Sequence, residues 1–199
     1  LGNPMPNGSG LSGNPAANQP VAVCPVPGQV GKYFIFTNSA SVTSAGAVSV
    51  SVVDMSLFGN GVVPAPGLGD VEPSRKNISL LSGVSEAMLL VPHSNGTDFW
   101  LITQQFFKTT YQAILVSAAA YTSGFPAPVV NVLSKTPSDP GEPLPLVASH
   151  FAYNAKVGKV AVASARPPVI SPPPLTDAIV LNFNAGSGVF NFNSFLENT

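Results

Sequence analysis

Proline and glycine punctuate this chain so often, 21 and 18 times in 199 residues, that few windows of ten residues escape a helix breaker. Between the breakers stand short runs of β-branched and aromatic residues, the pattern of strands rather than helices. The runs predict strands at 21–24, 33–37, 48–54, 77–81, 87–91, 99–103, 111–117, 129–133, 148–153, 159–163, 178–183 and 189–192. The expected fold class is therefore all-β.

The order of the runs narrows the architecture. They fall into groups of four, and the second strand of each group starts near Tyr33, Phe99 and Lys159. Each follows a glycine-containing turn, in PGQVGKYFIFT, SNGTDFWLIT and AKVGKVAVAS. An alternating strand comes next: AVSVSVVD, YQAILVSA and DAIVLNFN. A repeated four-stranded antiparallel unit is the mark of a β-propeller blade, with a β-sandwich as the alternative all-β reading. The predicted blades are roughly 20–81, 87–133 and 147–192, with residues 1–19 as the end of a preceding blade and its exit loop. Closed propellers use about 4–8 blades, so three predict a partial propeller whose remaining blades lie elsewhere in the same polypeptide. The chain starts at Leu1 without a basic-then-apolar segment, so either a leader is removed or this is a piece of a longer chain.

The stretch HSNGTDFWLIT places a His, an Asp and a Trp together and raises the question of a catalytic corner. Asn95-Gly96 is a strong hairpin signal, because both central residues of a type I′ turn need positive φ. Strands EAMLLVP and DFWLIT would then pair across it, with Trp100 and Ile102 on one buried face and Phe99 and Leu101 on the other. His93 and Asp98 flank the turn, where they can bond local backbone. A catalytic His–Asp pair needs a nucleophile, and sequence adjacency supplies none.

Several motifs occur in an order that resembles a known group. They are MPNGSGLSGN, KYFIFT, VSVVDMSL, GLGDVEPSRKNISLL, SEAMLLVPHSNGTDFWLIT and YQAILVSAA. The chain resembles the propeller-like N-terminal region of bacterial gliding-motility-associated, type IX secretion sorting-domain surface proteins. The resemblance covers about residues 5–118 and continues more weakly to Phe190. There, Asn154-Ala-Lys-Val-Gly158 stands where the family has a Pro-Asp-Gly turn. It implies secretion or a cell-surface location and carries over no catalytic residue.

Charged residues make up only 9% and the net charge is −1, so nothing attracts nucleic acid or an anionic membrane surface. No apolar run approaches the roughly 20 residues of a membrane helix, and no membrane insertion is expected. Cys24 stands alone, and His93 and His150 fall in different repeats, so no zinc set forms. Asp54, Asp70 and Glu72 are the one conceivable calcium group, without the loop pattern calcium favours. No cofactor is expected.

An extracellular polysaccharide hydrolase would need two converging carboxylates. The nine acids are mostly predicted in loops or turns. Binding through loops is the stronger expectation. The loops between second and third strands share one face, and they carry Phe106-Phe107 and a proline-rich stretch from Arg166 to Pro174. An exposed aromatic pair suits a sugar or protein contact, and the stiff, polyproline-like loop that Arg166 opens is a further candidate docking surface or a spacer. The expected role is a non-enzymatic binding or scaffold module for a surface protein or glycan, with a stand-alone β-sandwich adhesin as a further alternative.

Overall fold

A computed structural model describes residues 4–61, 67–133, 147–164 and 176–197. The fold is all-β and antiparallel. The strands are β1 (Val21–Pro25), β2 (Lys32–Asn38), β3 (Gly46–Asp54), β4 (Asp70–Val71), β5 (Ile78–Pro92), β6 (Phe99–Gln105), β7 (Thr110–Val116), β8 (Val129–Val132), β9 (Ala148–Asn154), β10 (Lys159–Ser164), β11 (Thr176–Asn184) and β12 (Val189–Glu197). A 3-10 turn covers Pro73–Arg75, and a short helix, α1, covers Ala118–Thr122.

Two hydrogen-bonded sheets result. One runs β1-β2-β3-β5-β6-β7-β8 with β4 beside β3, and the other runs β9-β10-β11-β12. The runs at 77–81 and 87–91, read separately in the sequence, are one strand. The first half of β5 pairs with β3 and the second with β6, and a register shift between Val84 and Met88 separates them. Gly83, at φ +69°, stands next to that shift and takes a conformation that would strain most other residues. The strand thus turns a corner, and the halves of the larger sheet fold over each other. Phe34, Phe36, Val48, Val50 and Val52 of the first half meet Leu101, Ile114 and Val116 of the second in one core.

The opposite face of the second half is buried as well. Trp100, Ile102, Tyr111 and Ala113 pack against Val160, Val162, Ile179 and Leu181 of the β9–β12 sheet. Three four-stranded layers are therefore stacked, with β6 and β7 of the middle one buried on both faces and its outer strand β8 partly exposed. This explains why β6 and β7 read as nearly continuous apolar runs instead of alternating ones.

The three layers stack in one sense. Their first hairpins close at Val26 with Lys32, His93 with Asp98, and Asn154 with Lys159. Counted from there, Tyr33, Phe99 and Val160 occupy matching positions, as do Ile35, Leu101 and Val162. In the second and third layers this set faces the layer before. Phe34 and Phe36, and likewise Trp100 and Ile102, face the layer after. Leu101 is fully buried, whereas among the described residues no sheet covers the matching side of the first layer, and Val21 and Val23 are each 54% exposed.

The segment read as the end of a preceding unit carries no strand within its described part, residues 4–20. It crosses the layers instead. Asn14 N–H donates to Asn38 O at 2.8 Å, and Gln19 reaches β9 of the third layer.

Candidate functional site

The hairpin between β5 and β6 is a turn held by its own side chains. His93 N–H bonds Asp98 O at 2.9 Å, which leaves a four-residue loop. Gly96 has φ +77°, but Asn95 does not adopt positive φ, so the expected two-residue type I′ turn is not formed. The two residues most prone to such a turn sit inside a wider loop because His93 and Asp98 extend the ladder by one pair. Asn95 N–H donates to His93 Nδ1 at 3.0 Å, and Asn95 Nδ2 to Asp98 Oδ2 at 2.8 Å. His93 stacks on Trp100 at 5.5 Å, and the indole N–H donates to Ala185 O at 2.8 Å. Asp98 thus serves the turn, and His93 serves both the turn and the packing of Trp100, which bonds the third layer. Ile102 lies buried beside Trp100 in the same core.

At the opposite end of the layers lies the β6–β7 turn with Phe106 and Phe107. Their rings meet edge to face at 4.6 Å. Phe106 is half-buried and its N–H donates to Gly83 O at 2.8 Å, tying the turn to the corner of β5. Phe107 is exposed and holds φ +54°, a strained conformation for a bulky residue. Arg166 and the proline-rich loop lie outside the described residues.

Amide side chains seam the layers. Asn38 and Gln104 stand at matching positions of β2 and β6. Asn38 Nδ2 donates to Ser85 O at 2.8 Å, and Gln104 Oε1 accepts from Ala148 N–H at 2.5 Å. Each ties a second strand to the start of the next layer's first strand. Gln19 donates to Phe151 O at 3.0 Å and accepts from Phe151 N–H at 2.8 Å. Asn131 of β8 does the same to Gly188 O and Phe190 N–H, at 3.2 and 3.1 Å. Glu86 is buried on β5, where its carboxylate accepts from Asn18 Nδ2 at 2.8 Å.

Comparison with protein-family models, with curated proteins and with solved structures finds no match. Chemistry must therefore be read from the geometry.

The densest charge cluster sits near the β1–β2 turn. Lys32 Nζ bridges Asp54 Oδ2 and Glu72 Oε1, the latter at 2.7 Å, and the Tyr121 hydroxyl donates to Glu72 Oε1 at 3.1 Å. Arg75 Nε lies 3.6 Å from Glu72 Oε2, and its guanidinium covers the Tyr121 ring at 3.8 Å. Bonds from Lys32, and then from Ser56, hold the Asp54 carboxyl down at about 2. Burial would pull the Lys32 ammonium down, but its bonds to Asp54, Glu72 and Tyr121 outweigh that and hold it above its usual range. A carboxyl held so low cannot act as a general acid near neutral pH. Asp70, the third acid of the conceivable calcium group, accepts from the backbone and side chain of Asn7 at 2.9 and 2.7 Å. Among the described residues no group of three His, Cys, Asp or Glu is arranged to hold a metal ion. The cluster joins β2, β3, the 3-10 turn and α1, which is a structural task.

Beside it lies a cavity of about 490 Å³, walled by Phe34, Val50, Val52, Ile114 and Phe125, with Arg75 and Tyr121 at its polar side. The sequence offered no signal for it, because it forms only when α1 and the segment after it cross over the first layer.

Proposed function

We propose that this chain is a stretch of β-propeller from a secreted or cell-surface protein, with a non-enzymatic binding or scaffold role. One observation carries the reading: three four-stranded layers stack in the same sense, and the first leaves Val21 and Val23 exposed where its successors bury matching residues. Stacking by a constant operation is how blades assemble, and the layer left without a predecessor presents an apolar face. The family resemblance of residues 5–118 supports an exported surface protein. In this reading the rigid layers position the β2–β3, β6–β7 and β10–β11 loops, and Phe106 and Phe107 offer an aromatic contact to a glycan or surface protein.

A β-sandwich adhesin is the second reading. It is favoured by the hydrogen bonding, which joins the first eight strands into one sheet covered by the other four. The two readings differ at the Val21 and Val23 face. A sandwich needs nothing there, whereas a propeller needs another sheet.

Surface location is tested by antibody against the purified chain. Labelling of intact source cells is expected, and labelling confined to permeabilised cells contradicts the reading.

A further inference from the structure

We propose that the cavity between the first layer and the segment following β7 binds a small amphipathic carboxylate, such as a medium-chain fatty acid. The number of layers in the complete protein has no bearing on it. Well-packed interiors leave few voids, and about 490 Å³ falls within the roughly 300–1,000 Å³ of small-molecule sites. Phe34, Val50, Val52 and Ile114 come from facing strands and make an apolar wall that accepts a hydrocarbon body.

The polar side sets the sign of the head group. Among the described residues no acid lines the cavity, and Arg75 is its one charged lining residue. Arg75 Nη1 is sealed from water and has no acceptor. Glu72 does not provide one: its Oε1 serves Lys32 and Tyr121, and its Oε2 lies 3.6 Å from Arg75 Nε and makes no bond to Nη1. A buried guanidinium N–H without an acceptor is costly, and a carboxylate supplies the missing partner in a charge-assisted bond. An ammonium head would meet repulsion from Arg75, and an alcohol would accept from the guanidinium without a charge to pair with it.

Reaching Nη1 requires the wall to yield locally. That wall includes residues 124–128, which make no backbone hydrogen bond to the described chain. Phe125 holds it through rings alone, at 5.2 Å from Phe34 and 5.9 Å from Phe36.

The test is a titration of the 199-residue chain with octanoate, octanol and octylammonium, followed by methyl and amide NMR. Octanoate is expected to bind saturably and shift Val50, Ile114 and Phe125, with octylammonium at least tenfold weaker. Arg75→Gln is expected to weaken octanoate at least tenfold and erase the preference for acid over amine, while Lys76→Gln leaves both unchanged. Leu80→Trp fills the cavity without touching the charge cluster and is expected to abolish binding with the fold retained. It decides the matter if Arg75→Gln fails to fold. Absence of saturable octanoate binding, equal binding of amine and acid, or binding that survives Leu80→Trp would overturn the proposal.

Discussion

At the scale of single residues, the fold rests on contacts that titrate or clash in predictable ways. The Asp54 carboxyl is held at about 2, below its ordinary 3.8. A depressed carboxyl contributes stability that is complete above the ordinary value and is lost as pH falls through the folded one. The difference in melting temperature between wild type and Asp54→Asn is therefore expected to be full at about pH 5 and to shrink through about pH 2. A gap independent of pH would show that the Lys32 pairing contributes nothing. Gly188 has φ +71°, and a Cβ there would meet the Trp100 ring at 2.8 Å. Gly188→Ala is expected to cost about 1–3 kcal/mol in denaturant unfolding, from strain and overpacking together. Phe107 is the reverse case. Its positive φ favours glycine, so Phe107→Gly is expected to leave the melting temperature unchanged or higher while removing the exposed ring. A clear drop in melting temperature would mean that the ring is a packing residue.

Individual elements depend on side chains that imitate backbone. Gln19 gives both its donor and its acceptor to Phe151 on β9, a strand whose edge away from β10 pairs with no other strand among the described residues. Edge strands are prone to fraying and to wrong pairing, and the amide blunts this one. Gln19→Ala is expected to cost about 1–2 kcal/mol and to speed hydrogen exchange at Phe151 before other β9 amides. Uniform exchange would indicate that the clamp is incidental. Such devices were not legible in the sequence, since a glutamine 132 residues from its partner carries no local signal. The strands were legible, because period-two runs between prolines and glycines report a local preference. The joining of two runs into one β5 was not, since Gly83 reads as a breaker and acts as a corner. Asn95-Gly96 marks the position of the turn along the chain but not its type, because the pairing of His93 with Asp98 is set by the neighbouring strands. Residues 118–122 escaped notice as a helix because five residues hold too little periodicity. The charge cluster and cavity beside α1 escaped with it.

For the whole molecule, the way the layers repeat separates a propeller from a sandwich. Leu101 and Ile35 occupy matching positions, yet Leu101 is sealed between layers and Ile35 lines an open groove with Val21 and Val23. In the 199-residue chain, Leu101→Ala is expected to cost about 2–5 kcal/mol, and Ile35→Ala less than about 1 kcal/mol. Equal costs would mean that the chain already covers the first layer. The measurement that bears most directly on the central claim is single-particle imaging of the complete gene product. The propeller reading requires a ring in which another four-stranded sheet lies on Val21, Val23 and Ile35. A molecule in which those side chains remain solvated, with two facing sheets and no ring, would contradict it.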